Sequence, residues 1–324
     1  MTRYPVLAAM LLWGSVSASL AQTYPVRPVT MIVPSAAGGP SDVLARLLAP
    51  SLTKQLGQPL IIENIGGAGG NIGVTRTARA AADGYTLLMQ NIGMALGPAL
   101  YRNLDYDPLN DFEYVGLVSW GSMALIGRPS LPVKDFSDFL AYVKANRQSL
   151  SFANSGLGGP SHLCGLLFMS AISTALTTVP YRGTAPAMND LVGGRVDLSC
   201  DSVSTAAPQI RSGKVRAFGV TSRTRAMLLP DVPTLEEQGL RGFEMTTWQA
   251  MYAPKGTPKF VIDRVVSALQ NTLRDRDLAA TLVQKLGIDP VPAESATPAA
   301  LHAHLKSELE RWGPLIRKAG IHAE

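Results

Sequence analysis

The chain has 324 residues, of which 46% are hydrophobic and 16% are charged, a composition typical of a globular protein and not of a disordered one. Its formal net charge of +5 is spread along the chain without a Lys/Arg stripe, which disfavours a nucleic-acid-binding protein. The length exceeds what one hydrophobic core usually serves and suits two domains.

Residues 1–21 have the pattern of a secretory signal peptide. Arg3 supplies a positive charge, residues 6–13 form a short apolar run, and Ser19-Leu20-Ala21 offers a cleavage site between small residues. The run is too short for a transmembrane helix, which needs about 20 residues. A buried N-terminal helix is the alternative. We expect cleavage after Ala21 and export of the mature chain.

Residues 29–73 contain two strand–loop–helix units in succession. The apolar strands VTMIVP and QPLIIEN are followed by the glycine-rich loops SAAGGPS and IGGAGG, and each loop opens a helix. In the first helix, leucines recur with a period close to 3.6, Gly57 is the predicted end, and Ser41 or Asp42 is the predicted cap. Two helix starts in one crevice would bind a small anion, because their first amides lack partners inside the helix.

The same pattern continues through the chain. A third strand is predicted at residues 85–89, and strand–helix alternation predicts a parallel sheet with ligands beyond the carboxyl ends of its strands. Two long apolar runs, at residues 114–126 and 246–253, predict strands that cross between domains. The sequence therefore predicts the α/β class, with two doubly wound domains around a ligand cleft, joined by two crossing strands and able to close by a hinge. The domains are residues 22–123 with 246–324, and residues 124–245.

Cys164 and Cys200 are the two cysteines of the chain. An even number of cysteines in an exported protein favours one disulfide. Two buried free thiols are the alternative.

Seven motifs, in order, carry a resemblance to a known family: YPVRPVTMIVPSAAGGPSD, ENIGGAGGNIG, ADGYTLL, SGLGGPSHL, VPYRGTAPAMNDLVGGRVD, VTSRTRAMLLPDVPTLEEQG and APKGTP. The chain resembles the periplasmic solute receptors of tripartite tricarboxylate transporters, also called Bug receptors. The resemblance implies a type II periplasmic binding protein fold and a periplasmic receptor that delivers a carboxylate to a membrane permease. It also implies that backbone amides, hydroxyls and ordered water hold the ligand, without a cofactor. The commonest first loop of that family has a glycine where this chain has Ala36 or Ala37.

The candidate ligand-binding residues lie in the loops at the strand ends of both domains. In domain 1 they are Ser35, Ala36, Ala37, Gly38, Gly39, Ser41, Gly67, Ala68, Gly69, Asn71 and Asn91. In domain 2 they are Ser155, Gly156, Ser161, His162, Tyr181, Gly183, Thr184, Ala185 and Asp201. Simple capping of the next helix is the alternative for Ser41, Asn71 and Asp201.

Two charged side chains, Asp42 and Arg182, lie close to these loops in the sequence. Asp42 is expected to face away from the ligand, because its charge would repel a carboxylate. Arg182 could grip two carboxylate oxygens. Side chains alternate along a strand, however, so Arg182 points away if Tyr181 faces the cleft.

Other chemistries fit the sequence less well. Gly67, Gly69 and Gly73 give G-x-G-x-x-x-G, one residue longer than the dinucleotide fingerprint. Ser161 and His162 are adjacent, and adjacent side chains on a helix diverge, which disfavours a nucleophile–base pair.

A metal site has no support either, because the histidines at 302 and 304 are two apart on a helical stretch. The rival functions are an exported hydrolase or transferase on the same two-domain fold, and a ligand sensor for a membrane kinase. We expect a monomer that binds neither metal nor nucleic acid. Polar candidates at both ends of the cleft suit a ligand with two carboxylates.

Overall fold

The computed structural model describes residues 23–318, so the signal sequence predicted at residues 1–21 lies outside the described part. The strands are β1 (Val29–Val33), β2 (Leu60–Asn64), β3 (Thr86–Asn91), β4 (Phe112–Gly127), β5 (Ser151–Asn154), β6 (Thr177–Pro180), β7 (Leu198–Ser202), β8 (Arg216–Val220), β9 (Thr246–Pro254) and β10 (Ile288–Pro290). The helices are α1 (Pro40–Leu56), α2 (Asn71–Ala78), α3 (Gly93–Leu100), α4 (Phe136–Ala145), α5 (Pro160–Ala171), α6 (Thr184–Val192), α7 (Val203–Arg211), α8 (Lys259–Leu273), α9 (Arg276–Thr281) and α10 (Pro298–Lys318). Within residues 23–318, no helix combines the length and apolar character needed to cross a membrane.

Helix α1 follows from its sequence signals. Pro40 is its first residue, where the missing N–H of proline would have no acceptor anyway. Its leucine stripe packs into the core, with Leu44, Leu48 and Leu52 almost fully buried. Gly57 ends the helix with φ 79°, a left-handed conformation that glycine adopts without a Cβ clash. The predicted end of this helix is confirmed.

The strands form one curled sheet in the order β2-β1-β3-β9-β4-β7-β5-β6, with β8 and β10 also paired to β4. In one half β1 pairs in parallel with β2 and β3, and in the other half β5 pairs in parallel with β6 and β7. The long strands β4 and β9 run antiparallel to their neighbours. The parallel pairing predicted for the strands that alternate with helices is therefore confirmed, and the two crossing strands add antiparallel pairs in the middle of the sheet. A chain that leaves a domain on one strand and returns beside it must reverse direction.

Strand β4 belongs to both halves of the sheet. Its residues 112–122 pair with β9, and its residues 123–127 pair with β7 and β8. Strand β9 begins at Thr246, opposite Ser122, where the chain returns from the second half. Thr221 connects the two crossing segments, because its N–H donates to Met123 O on β4 and its Oγ1 donates to Met245 O just before β9. The predicted boundaries at 123/124 and 245/246 fall here and stay predictions.

Helix α3 was not anticipated from the sequence. Its residues, GMALGPAL, are apolar on all sides and include Gly97 and Pro98, so they show no helical period and carry two residues that disfavour a helix. Packing against α10 stabilises it, and most of its residues are buried. The helix ends just before Tyr101, a residue of importance for the cleft.

Cys164 and Cys200 form a disulfide that joins α5 to β7, with a Cα–Cα distance of 6.0 Å and a sequence separation of 36. Both residues are fully buried. The bond closes a long loop, so it restricts the unfolded chain. It therefore fixes the start of α5 relative to the end of β7.

Reduction of this disulfide should lower the free energy of unfolding by about 2–4 kcal/mol, because the unfolded chain regains loop entropy. Urea denaturation with and without a reductant, followed by circular dichroism, measures the difference. A Cys164→Ala/Cys200→Ala double variant is the control and should not respond to the reductant. An identical wild-type midpoint under both conditions would show that the two sulfurs are not bonded.

Candidate functional site

The loops after β1 and β5 share several backbone features in the two halves. Their sequences are SAAGGPS at residues 35–41 and SGLGGPS at residues 155–161. The fourth residue has a positive φ in both, 77° at Gly38 and 78° at Gly158. The next glycine donates its N–H to the carbonyl three residues earlier, at 3.2 Å in each loop. A proline then starts the helix in both cases.

Each loop is fastened by the residue that follows its second serine. The Gly38 N–H donates to Asp42 Oδ2 at 2.8 Å, and the Gly158 N–H donates to His162 Nδ1 at 3.1 Å. Asp42 therefore binds the loop that precedes α1, and its predicted role as a cap of the helix amides is wrong. The amides of Gly38 and of Gly39, which were candidates for ligand contact, are engaged within the protein.

Other amides in these loops have no such partner. Those of Ala36 and Ala37 make no hydrogen bond with residues 23–318. In the first turns of α1 and α5, the amides at positions 41, 42, 161 and 162 precede the first intrahelical bonds, which start at Val43 and Leu163. Unpaired amides and the positive end of the helix dipole make such a turn favourable for an anion.

A charged network supports the first loop from behind. Arg46 binds Asp42 and also donates to Asn64 Oδ1 at 3.0 Å, while the Asn64 amide donates to Ser35 O at 3.2 Å. Burial favours a higher pKa for Asp42, but its hydrogen bonds with Arg46, Gly38 and Asn64 outweigh burial and hold the pKa below the usual value. Asp42 is thus an ionised anchor of the loop, as expected of a carboxylate that does not meet the ligand.

The second pair of loops brings further donors to the same edge. Residues Gly67, Ala68, Gly69 and Gly70 all have positive φ, and the loop packs back on Pro34 and Gln90. In the other half the Gly183 N–H donates to Ser155 O at 3.1 Å. The prediction of Gly183 as a free donor is therefore corrected, and the Gly156 amide is likewise held by Asn154 Oδ1.

Helix α6 begins directly after this loop, so its first-turn residues Thr184 and Ala185 start at the same edge. Asn71 opens α2, and its Oδ1 accepts a hydrogen bond from Tyr106 at 2.8 Å. The Asn91 Oδ1 accepts from the Gly93 N–H at 2.8 Å, so this side chain shapes the turn into α3.

The two serines at equivalent positions have different hydrogen bonds. Ser41 Oγ accepts from Gln249 Nε2 at 2.8 Å, which leaves the Ser41 hydroxyl proton available for a ligand. Ser161 Oγ donates to Cys200 O at 2.6 Å, so its proton is already used. The prediction that both hydroxyls donate to the ligand is therefore corrected for Ser161. Neither serine is paired with a histidine, because His162 Nδ1 accepts from Gly158.

Several buried polar atoms on or just after the strands have no partner among the described residues. They are Ser35 Oγ after β1, Gln90 Nε2 on β3, Asn154 Nδ2 on β5 and Gln249 Oε1 on β9. A buried polar group without a hydrogen bond is unfavourable by about 1–3 kcal/mol. We did not identify Gln90 and Gln249 from the sequence, although each directly adjoins an apolar residue in a strand, LLMQ in β3 and WQAM in β9, which is a readable signal.

The positions of Tyr181, Arg182 and Asp201 differ from those predicted from the sequence. Tyr181 follows the end of β6, and its hydroxyl donates to Asp190 Oδ2 at 2.7 Å. Strand alternation therefore does not apply to Arg182, whose side chain is exposed. Asp201 lies on β7 and accepts from the Ser202 N–H, and burial raises its pKa from 3.8 to about 7. A neutral Asp201 can donate as well as accept a hydrogen bond near neutral pH.

Loops from the two halves touch across the cleft. Tyr101, after α3, donates to Leu157 O at 2.9 Å. A Cβ added to Gly183 would lie 3.3 Å from the Ala36 Cβ, and one added to Gly69 would lie 2.6 Å from Leu157 O. Beside the crossing strands is a cavity of about 20 Å³, lined by Pro40, Ser119, Trp120, Gly121, Ser202, Thr247, Gln249 and Ile288. Its size suits a single water molecule.

The arrangement can bind anions through neutral donors supplied from both halves. In each half, a glycine-rich loop is held by a side-chain hydrogen bond and leads into a helix whose first amides are unpaired. Within residues 23–318 no group of three or more metal-ligating side chains is clustered. The described geometry therefore favours recognition of an acid group.

Comparison with known proteins gives a consistent result. A model of the family described as "Tripartite tricarboxylate transporter family receptor" matches residues 44–321. The chain is similar to the periplasmic binding protein BugD, with a TM-score of 0.88 and 46% identity over 93% of this chain and 100% of that one.

Two further solved structures, both from Rhodopseudomonas palustris, are similar. MatC with bound malate has a TM-score of 0.86 and 38% identity, over 90% of this chain and 100% of that chain. A protein with adipate has a TM-score of 0.87 and 33% identity, over 92% of this chain and 99% of that chain. These matches confirm the two-domain solute-binding fold and the expected receptor class, which is not enzymatic. The chain therefore belongs to the receptor family of the tripartite tricarboxylate transporters, the family of Bug periplasmic solute-binding proteins.

Proposed function

We propose that this chain is exported to the periplasm, captures a small carboxylate between its two halves, and delivers it to the membrane permease of a tripartite tricarboxylate transporter. The candidate ligands are dicarboxylates, tricarboxylates, aromatic acids and acidic amino acids. The observation that carries the proposal is the pair of equivalent loops, one in each half, with unpaired helix-start amides. Each loop suits one acid group, so a dicarboxylate fits the arrangement best.

The binding sites named from the sequence form part of this proposal. In the first half, the amides of Ala36, Ala37, Ser41 and Asp42 and the Ser41 hydroxyl are the donors for one carboxylate. In the second half, the amides that start α5 and α6 serve the other end of the ligand. The relatives with malate and adipate support this assignment, since both ligands are dicarboxylates of different length.

Capture follows from the contacts between the halves. Ligand entry requires the loops joined by Tyr101 and Leu157 to separate, because the small cavity at the hinge is too small for an organic acid. A ligand that touches both halves then stabilises the closed arrangement by its differential contacts. The hinge lies where β4 passes from one half to the other, near Ser122 and Met123.

Binding without turnover is the direct test of this function. The mature protein is screened by thermal shift and calorimetry against malate, adipate, citrate, benzoate and glutamate. We expect a dicarboxylate at a hundredfold excess over its Kd to stabilise the fold by about 2.7 kcal/mol. Chromatography of the same mixtures should show no product. Product formation would favour the hydrolase or transferase alternative, and failure of every acid to bind would contradict the proposal.

The serine pair provides a matched comparison of two equivalent positions. Ser41→Ala removes a hydroxyl whose proton is available to the ligand, so we expect loss of about 1.5–3 kcal/mol of binding, or roughly 10- to 150-fold in Kd. Ser161→Ala should change Kd much less and instead lower stability by about 1–3 kcal/mol, because buried Cys200 O loses its donor. Calorimetry and urea denaturation separate the two effects. Equal losses of affinity in both variants would contradict the different roles given to them.

A variant of Tyr101 tests whether closure of the two halves contributes to ligand affinity. Tyr101→Phe removes one neutral hydrogen bond between the halves, so Kd should rise by about 2- to 12-fold for a contribution of about 0.5–1.5 kcal/mol. Tyr114→Phe is the control, because its hydroxyl bonds to Pro108 O and Leu109 O within one half. Calorimetry with the same acid measures both variants. A weaker effect of Tyr101→Phe than of the control would count against closure through this contact.

A further inference from the structure

The two equivalent loops differ in the chemistry of the residue that fastens them. In the first loop the acceptor of the glycine amide is the Asp42 carboxylate, and in the second it is the His162 imidazole. Oδ of Asp and Nδ1 of His are both bonded to Cγ, so they reach the same place from the same backbone position. The geometry is therefore conserved between the halves while the charge of the anchor is not.

The hydrogen bond defines the protonation state that the loop needs. Because Nδ1 accepts from the Gly158 N–H, a neutral His162 must carry its proton on Nε2. A proton added to Nδ1 would convert the acceptor into a donor that faces another donor. The Asp42 anchor has no such transition near neutral pH, since its pKa is held below the usual value of a carboxyl group.

The loop fastened by His162 is also the loop that meets the other half. Leu157, next to Gly158, accepts the hydrogen bond from Tyr101, and the Tyr101 ring packs on Gly158. The state of the imidazole is therefore linked through Gly158 to the contact that closes the cleft.

Among the described residues, the ionisable groups on the elements packed around the start of α5 are those of Tyr101, Asp201, Tyr181 and Arg182. The last two lie in the loop after β6 that bonds to Asn154 and Ser155, where the Tyr181 hydroxyl donates to Asp190 and the Arg182 side chain is exposed. Tyr101 reaches the loop through its hydroxyl, and burial raises its pKa. Asp201 follows Cys200 on β7, and Cys200 is bonded to α5, so strand alternation directs the Asp201 side chain to the opposite face. Burial lowers the pKa of the His162 imidazole.

We propose that His162 is a positioning residue that makes ligand capture dependent on pH, because its imidazole must be neutral to hold the loop that closes the cleft. This inference rests on the proposed function only in its ligand-binding part. The behaviour of the loop itself can be measured without a ligand. Burial lowers the pKa of His162 in the folded protein, so the unfolded chain binds the proton more readily than the folded one. The free energy of unfolding therefore falls as the pH drops below about 6.5, the ordinary pKa of histidine.

The matched variant is His162→Asn. Its Oδ1 is bonded to Cγ like Nδ1, so it can accept from Gly158 at any pH without titrating. His162→Gln is the negative control, because its acceptor lies one carbon further from the backbone and should leave the loop unfastened at every pH. Thermal melts of both variants confirm that they fold.

The first measurement is hydrogen exchange of the peptide that covers residues 155–162, in the mature protein without ligand, at about pH 7.5 and about pH 5. Exchange is referred to the intrinsic rate at each pH. We expect protection in the wild type to fall by about tenfold on acidification, and protection in His162→Asn to change by less than about twofold. Equal changes in the two proteins would overturn the inference.

The second measurement is the Kd for malate and for adipate at the same two pH values. In the wild type, Kd should rise at least about threefold more than in His162→Asn, since only the fraction with neutral His162 is competent. The variant corrects for titration of the acids themselves. A wild-type Kd that is unchanged, or lower at acidic pH, relative to the variant would overturn the inference. If no acid of the screen binds at any pH, the proposed function fails, while the exchange result still decides the role of His162.

Discussion

Unpaired backbone amides at the starts of α1 and α5 are the constraint on which this structure depends. Each helix begins with a proline and lacks a side-chain cap at the preceding glycine, so its next two amides have no acceptor among residues 23–318. In most helices a Ser, Thr, Asp or Asn satisfies such an amide. Here a glycine occupies the cap position in both halves, so no side-chain cap satisfies these donors.

The sheet topology makes these donors converge. Parallel strands β1, β2 and β3 end at one edge, β5, β6 and β7 end at another, and β4 joins the two halves so that the edges face each other. The contact between Tyr101 and Leu157 shows how closely the edges meet. In the proposed mechanism, recognition of a ligand and closure of the cleft use the same loops, so a change in one loop affects both.

Sequence reasoning reached the architecture because its signals are local. The end of α1 at Gly57 and the glycine loops before α1 and α5 are readable from composition and spacing. It did not reach the hydrogen-bond partners, which are set by tertiary structure. A glycine-rich loop does not reveal that Gly38 donates to Asp42. The alternation of side chains predicted for Tyr181 and Arg182 does not apply, because β6 ends one residue earlier, at Pro180.

The central claim is that neutral backbone donors from both halves grip an acid, with no cation required. A crystal structure of the mature chain with a bound dicarboxylate tests it most directly. We expect carboxylate oxygens within about 3.2 Å of the first-turn amides of α1 and of the loops that start α5 and α6. An acid held chiefly by arginine side chains or a metal ion, or found outside the cleft, would contradict the account.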